Sequence, residues 1–211
     1  MRAGNLEVEE LVLVYRQAEL DAWMAGDRSL IPRFVDRKAL VRNSPPRHFG
    51  EMFALRHYHE TEGWKGFSSY ALGPELPGSA RRAPGRSKIE EIVPRRALAR
   101  LRALRATISD RRFGGGTPDL FLYDGVGRYK FVEVKKRADR LRPTQLRCLA
   151  QIARALRCEV DIVYLREANQ AYTPKTYILD LQRCEGWRQS SNKPFHPTTG
   201  LAPCGRSVRR R

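Results

Sequence analysis

Three charged residues in one short stretch have the types and spacing of a hydrolytic site. Asp119 follows Pro118, and one residue separates Glu133 from Lys135 within the apolar run FVEVK. Alternate side chains of a strand point to the same face, so Glu133 and Lys135 are expected to lie side by side. If the run that begins at Asp119 pairs with FVEVK as a hairpin, two carboxylates and one ammonium meet at one end of a sheet.

Two adjacent carboxylates favour a divalent cation. They are costly to ionise together, and a bound cation removes that cost. Hard oxygen ligands suit Mg²⁺ or Mn²⁺, and such an ion polarises a phosphodiester oxygen and acidifies a bound water. The lysine would orient that water or stabilise the charge that develops on phosphorus. The alternative is a surface salt bridge on a sheet with one solvated face.

The elements around these residues follow from hydrophobic periodicity. The runs 119–124 and 129–136 predict two strands, which the turn GVG joins into a hairpin. A helix is predicted over 142–157, and strands over 159–166 and 175–182, the last at an edge of the sheet. The carboxylates would therefore lie between a hairpin and the helix that follows it.

The N-terminal half is predicted to be mainly helical. Apolar spacing indicates helices over 6–26 and 51–63, followed by a short strand within 65–72. The Pro- and Gly-rich run 73–87 predicts an exposed loop, and the second half of 88–107 predicts a helix that starts at a proline. Together these elements predict an α/β fold with a small mixed central sheet flanked by helices.

The charge of the chain favours a polyanionic partner. The 211 residues include 40 Lys and Arg against 23 Asp and Glu, a net charge of +17, and nucleic acid is the first candidate partner. Residues 81–112 hold 11 basic and three acidic residues. The alternatives are a compositional bias towards arginine and a solvated helix face. The candidate DNA contacts are Arg95, Arg96, Arg102, Arg105, Arg111, Arg112, Lys136 and Arg137.

The segment TPDLFLY…FVEVKKRADRLRPTQ resembles the PD-(D/E)xK nucleases. The resemblance is to the VRR-NUC branch, which occurs in Fanconi-associated nuclease and in small stand-alone phage and bacterial proteins. It covers about residues 110–166 and implies a core like that of the restriction endonucleases. The matching residues are Gly116, Pro118, Asp119, Glu133, Val134, Lys135 and Gln145.

The resemblance implies a role for each matching residue. Asp119 and Glu133 become ligands of Mg²⁺ or Mn²⁺, together with the carbonyl of Val134. Lys135 becomes the catalytic lysine, and Gln145 a further site residue that contacts water or phosphate.

The family also places a glutamate of an early helix at the metal. Glu51 is the best match because it opens a predicted helix, and Glu60, Glu62 and Glu75 compete with it. The alternative for Glu51 is a carboxylate that the helix dipole favours at an N-terminus. His57 and His59 are two residues apart, on different helix faces, and make a poor metal pair.

The implied function is a metal-dependent DNA nuclease with a structure-specific role in repair or recombination. Water would attack phosphorus in line with the departing 3′ oxygen, which leaves a 5′ phosphate. Branched or flapped DNA is the expected substrate, and the stand-alone relatives leave a homodimer open. The chain lacks the tandem helical repeats of Fanconi-associated nuclease, so the resemblance leaves open which of these DNA structures is cut. The rival is a catalytically silent nucleic-acid-binding module.

Three regions are predicted along the chain. An N-terminal helical extension spans 1–47, and the nuclease domain spans 48–187 with a basic insertion at about 73–112. Residues 188–211 contain no acidic residue and predict a basic disordered tail. No apolar run approaches the length of about 20 residues that spans a membrane, and we see no signal peptide. A cytoplasmic, nucleoid-associated protein of a bacterium or phage is therefore expected.

Overall fold

The fold is taken from a computed structural model that describes most of the chain. The described residues are 4–35, 48–72, 82–106, 116–136, 139–182 and 187–189. Four residues that the sequence singles out lie outside them: Glu75, Arg111, Arg112 and Arg137.

Seven strands of the described residues form one mixed sheet in the order β2-β3-β4-β5-β1-β6-β7. Both β1 and β4 run parallel to their neighbour β5, and the other pairs are antiparallel. The strands are β1 (Asn5–Tyr15), β2 (Lys65–Phe67), β3 (Leu120–Tyr123), β4 (Tyr129–Lys136), β5 (Glu159–Glu167), β6 (Thr176–Asp180) and β7 (Trp187–Gln189).

Helices cover both faces of the sheet, which confirms the predicted fold class. They are α1 (Gln17–Met24), α2 (Phe49–Glu62), α3 (Ala83–Ile92), α4 (Arg95–Ala106) and α5 (Pro143–Leu156). Side chains from α3, α4 and α5 form one core, and those from α1 and α2 form the other. Within the described part of the chain, no helix has the length and apolarity that a membrane span requires.

The strand β4 divides its side chains between the two cores. Phe131 belongs to the core beneath α5, whereas Val132 belongs to the core beneath α2. Glu133 is two residues after Phe131, so its side chain lies on the same face of the sheet, the face that α5 covers. The alternation predicted for FVEVK is therefore correct, and it directs the carboxylate towards the first turn of α5.

The predicted helix over 6–26 is wrong in its first half, where β1 runs through the interior of the sheet. Val8 packs into one core and Leu13 into the other, and β1 pairs with both β5 and β6. The run LEVEELVLVY fits both a helical and an alternating pattern. Pairing with two strands decides between them, because it satisfies the backbone groups of β1 on both sides. The N-terminal region is thus part of the central sheet.

The predicted loop over 73–87 is also wrong at its end, because α3 begins at Ala83. Pro84 lies in the first turn, where a proline costs a helix no hydrogen bond. Gly85 is buried because the helix approaches the chain after β2 closely: a Cβ there would lie 2.6 Å from the Ser69 carbonyl oxygen. The proline and the glycine that suggested a loop therefore have other roles: Pro84 fits the first turn of a helix, and Gly85 allows that helix to pack closely.

The remaining predictions need smaller changes. The helices expected over 51–63 and 142–157 are confirmed, and α2 ends at Gly63 in the left-handed conformation (φ 75°). The strand predicted within 65–72 covers only Lys65–Phe67. The strand over 175–182 is not at an edge, because β7 pairs with its outer side. This β7 enters the predicted tail by two residues, and residues 190–211 are outside the described part.

Gly116 brings the segment before β3 against the start of α5. Its φ is 128°, and a Cβ there would lie 2.7 Å from the Thr144 carbonyl oxygen. We expect Gly116→Ala to lower the free energy of unfolding by about 1–3 kcal/mol, because it adds both backbone strain and a clash with backbone. Denaturant titration measures this change.

Gly125→Ala is the matched control for Gly116→Ala. A Cβ at Gly125, in the turn between β3 and β4, would meet no atom within 4 Å. Its effect is expected to stay within about 0.5 kcal/mol. Equal losses in the two variants would contradict the tight approach of Gly116 to α5.

Candidate active site

At the end of the hairpin β3–β4, the side chain of Asp119 is hydrogen-bonded to the backbone of β4. Leu120 pairs with Val132, and the same register continued by two residues sets Pro118 opposite Val134. Instead of a ladder bond, the Val134 N–H donates to Oδ2 of Asp119 at 2.8 Å. Pro118 has no N–H to donate to the Val134 carbonyl. The carbonyl and the N–H of Val134 point to the same side of β4. On that side β3 no longer pairs with β4, so the ladder leaves the Val134 carbonyl without a partner strand.

Glu133 lies completely inside the protein, with its two oxygens in different situations. Its Oε1 accepts hydrogen bonds from Nζ of Lys135, at 2.7 Å, and from Nε2 of Gln145. Its Oε2 is buried and has no hydrogen-bond partner among the described residues. Buried polar oxygens are almost always paired, and Asp119 is the charged neighbour that acts on this carboxyl together with Lys135, so Oε2 is a candidate ligand for a cation shared with Asp119.

The backbone of α5 fixes the amide of Gln145. Its Oε1 accepts from the backbone N–H of Arg142 at 3.0 Å, in the first turn of the helix. With the oxygen held there, the NH₂ group must point the other way, towards Glu133. Gln145 therefore holds one oxygen of Glu133 in place; the predicted contact of Gln145 with water or phosphate stays a prediction.

Burial raises the pKa of both carboxyls. The pKa of Glu133 rises to about 8, and the negative charge of Asp119 adds to the effect while Lys135 opposes it. Burial also raises the pKa of Asp119, to about 6. The hydrogen bond from the Val134 N–H opposes this rise, and the negative charge of Glu51 adds to it. One lysine therefore does not compensate for the two carboxylates, and a cation would.

A cavity of about 400 Å³ opens beside Asp119 and Lys135, and Glu133 is fully buried and is not among its lining residues. Its walls carry two arginines that the sequence analysis did not single out, Arg140 and Arg142. The signal available was their position between the Glu-x-Lys strand and the helix of Gln145. The lining residues are Gly50, Glu51, Asp119, Val134, Lys135, Lys136, Asp139, Arg140, Arg142 and Gln145.

The donor set fits a small hard cation. Asp119, Glu133 and the Val134 carbonyl offer oxygen atoms only, and Mg²⁺ is often held by one or two carboxylates with water completing the shell. The orphan Oε2 of Glu133 fits the same ion. No group of three His, Cys, Asp or Glu side chains in the described ranges has the arrangement of a metal site. The candidate donors are thus a carboxylate pair and a carbonyl.

The role of Glu51 as a further ligand stays a prediction. It lies in the first turn of α2 and on the cavity wall, with Oε1 3.6 Å from Nδ1 of His48. Its competitors are engaged elsewhere: Glu60 accepts from Arg56, and Glu62 accepts from the indole of Trp64. Among the described candidates, only Glu51 lines the cavity.

The predicted DNA contacts fall into two groups. Arg95, Arg96 and Arg102 are exposed on α4, whereas Arg105 is half-buried and its Nη2 lies 2.6 Å from Sγ of Cys148. Lys136 is exposed at the cavity. The guanidinium of Arg102 lies 3.9 Å from the Glu90 carboxylate, whereas Arg95, Arg96 and Lys136 are exposed and can reach phosphates.

Comparison with known proteins identifies the segment that carries the site. Residues 80–167 match the model of the VRR-NUC domain. This segment is similar to the VRR-NUC domain. It contains Asp119, Glu133, Lys135 and Gln145, which confirms the predicted family. The match does not reach β1, α1 or α2, so it does not include Glu51.

Two solved structures were also found to be similar. Both are crystal structures of paFAN1, bound to 2-nt and to 1-nt 5′ flap DNA with a gap, with 24% and 27% identity and TM-scores of 0.36 and 0.33. They cover 59% and 57% of this chain, which in turn covers 21% and 20% of theirs. The chain thus spans about a fifth of the length of those proteins. A search of curated proteins found no match.

The buried carboxyl of Glu133 predicts an unusual pH dependence of stability. Folding raises the pKa of Glu133 from 4.5 to about 8, so the folded state binds more protons than the unfolded state within this window. Stability is therefore highest below the unfolded pKa and falls as pH rises through the folded one. Glu133→Gln removes this loss. We therefore expect the free energy of unfolding of the variant, relative to that of the wild type, to increase by about 1 kcal/mol or more between about pH 5 and pH 8.

Urea denaturation in chelator at several pH values measures this difference. Glu9→Gln, which changes an exposed glutamate of β1, is the control and is expected to follow the wild type. A Glu133→Gln curve parallel to the wild-type curve would contradict the uncompensated burial of Glu133.

Proposed function

We propose that this protein is a divalent-metal-dependent deoxyribonuclease that hydrolyses phosphodiester bonds. One observation carries the proposal: Oε2 of Glu133 is buried without a hydrogen-bond partner among the described residues, and the two residues that hold its other oxygen, Lys135 and Gln145, line an open cavity together with Asp119. A buried carboxylate with one free oxygen is costly in a structural role. The same arrangement is useful to an enzyme that must hold a cation.

The residues that would hold Mg²⁺ or Mn²⁺ are Asp119, Glu133 and, through its carbonyl, Val134, with Glu51 as a further ligand from the cavity wall. When bound, the ion would polarise a phosphoryl oxygen and acidify a bound water. The chain itself shields Glu133, which is fully buried, from bulk water. Gln145 and the Val134 N–H fix one oxygen of each carboxylate, which leaves the others for the ion.

Lys135 supplies a fixed positive charge at the reacting group. Its Nζ lies 2.7 Å from Oε1 of Glu133, and the residue lines the cavity. From there the ammonium stabilises the negative charge that builds on the phosphate in the transition state. Water adds to phosphorus and the bond to the 3′ oxygen breaks, which gives a 5′ phosphate and a 3′ hydroxyl.

Basic side chains provide the DNA contacts of the proposal. Lys136, Arg140 and Arg142 line the cavity, and Arg95, Arg96, Arg100 and Arg102 are exposed on α4, a helix without an acidic residue. Branched or flapped DNA, a role in repair or recombination, a homodimer and a place near the nucleoid in the cytoplasm extend the proposal. These extensions rest on the family resemblance.

Cleavage of labelled flaps, nicks, Holliday junctions and duplexes in Mn²⁺ tests the proposal. We expect cleavage that chelator abolishes, and that Asp119→Asn or Lys135→Ala lowers by about 100-fold or more. Lys65→Ala changes an exposed lysine of β2 and is expected to leave the rate unchanged. DNA that stays intact under every condition would reject a nuclease, and salt-dependent binding without cleavage would favour a silent binding module.

The salt dependence of DNA affinity tests the basic side chains. Each phosphate contact contributes about 0.9 to the slope of log affinity against log salt. We therefore expect Arg140→Gln to lower the slope by about one and the combined Arg95→Gln and Arg96→Gln variant by about two. Arg33→Gln, which changes an exposed arginine outside the VRR-NUC segment, is the control. Unchanged slopes in all variants would place the DNA elsewhere.

A further inference from the structure

A buried tyrosine outside the matched segment is hydrogen-bonded to the Pro-Asp step. Tyr70 follows β2, and its hydroxyl donates to the Pro118 carbonyl at 2.6 Å. Its ring packs against Phe121 and Phe131, with ring centroids 6.1 and 5.9 Å away. The VRR-NUC match begins at residue 80, so it assigns no role to Tyr70.

The Pro118 carbonyl stands at the point where β3 stops pairing with β4. The register sets Pro118 opposite Val134, yet the Val134 N–H donates to the Asp119 carboxylate. The Tyr70 hydroxyl supplies the buried Pro118 carbonyl with a donor in this arrangement. Because Asp119 is the next residue, a hydrogen bond that fixes the Pro118 carbonyl also fixes the backbone that carries the carboxylate.

The structure also fixes the position of Tyr70 itself. A Cβ on Gly85 of α3 would lie 2.8 Å from Cβ of Tyr70 and 2.6 Å from the Ser69 carbonyl oxygen. The helix backbone therefore lies directly against the chain at Tyr70. Burial raises the pKa of Tyr70 well above its usual range, so the hydroxyl keeps its proton and remains a donor.

We propose that Tyr70 is a positioning residue, which clamps the Pro118–Asp119 step so that the Asp119 carboxylate stays on the Val134 N–H and faces the cation site. It touches neither substrate nor cation and acts through Asp119. Its effect on metal binding rests on the function proposed above, whereas its hold on Asp119 does not.

Tyr70→Phe removes the hydroxyl and keeps the ring. Tyr129→Phe is the matched control, because the Tyr129 hydroxyl also donates to a backbone carbonyl, that of Leu156 at 3.0 Å. The first measurement is hydrogen exchange of the Val134 amide by NMR, in chelator and without DNA. Loss of one hydrogen bond of typical net strength predicts exchange that is about fivefold faster or more in Tyr70→Phe, and unchanged exchange in Tyr129→Phe.

The second measurement is the affinity for Mn²⁺ alone, by calorimetric titration. We expect it to weaken about fivefold or more in Tyr70→Phe and to stay at the wild-type value in Tyr129→Phe. Unchanged exchange at Val134 in Tyr70→Phe, or equally faster exchange in both variants, would overturn the positioning role. If the wild type binds no Mn²⁺ and cuts no DNA, the proposed function fails, and the exchange rates still decide the role of Tyr70.

Discussion

The structure of the site depends on one constraint, the burial of the Glu133 carboxylate within the sheet. Its strand neighbour Phe131 is part of an apolar core, so the surroundings cannot solvate a charge. Lys135 and Gln145 satisfy one oxygen, and the other has no partner among the described residues. Such a group must either keep a proton or hold a cation, and this choice links the fold to the chemistry.

Three residues just before β3 arrange the backbone around the buried Glu133 carboxylate. Gly116 lets the chain approach the first turn of α5, which carries Gln145. Pro118 cannot complete the ladder with Val134, so the Val134 carbonyl remains on the cavity side. Asp119 takes the amide of the same residue. Each of these residues has a backbone reason for its identity, and together they assemble an oxygen-rich site from parts of the chain that are distant in sequence.

The sequence predicted the elements nearest the chemistry well. Glu133 and Lys135 alternate with core valines, and this pattern alone places them on one face of a strand. The helix after them was predicted because Pro143 and the apolar spacing agree. By contrast, β1 and α3 were missed, because their local patterns fit two structures and only pairing or packing decides between them.

Local sequence patterns do not predict contacts between segments that are distant in the sequence. Nothing in the residues near Tyr70 indicates that its hydroxyl reaches Pro118, 48 positions later. The orientation of the Gln145 amide depends on the backbone of Arg142, which becomes defined only when α5 forms. The sequence also could not show that Arg140 and Arg142 line the cavity, since that depends on the path of the chain between β4 and α5.

The most direct measurement is the titration of the Glu133 carboxyl carbon by NMR, with and without Mg²⁺. Without the ion we expect a midpoint near the raised pKa of about 8. With saturating Mg²⁺ the midpoint should fall by about one pH unit or more, because the ion binds the ionised form. A midpoint that Mg²⁺ leaves unchanged would contradict a cation site at Glu133.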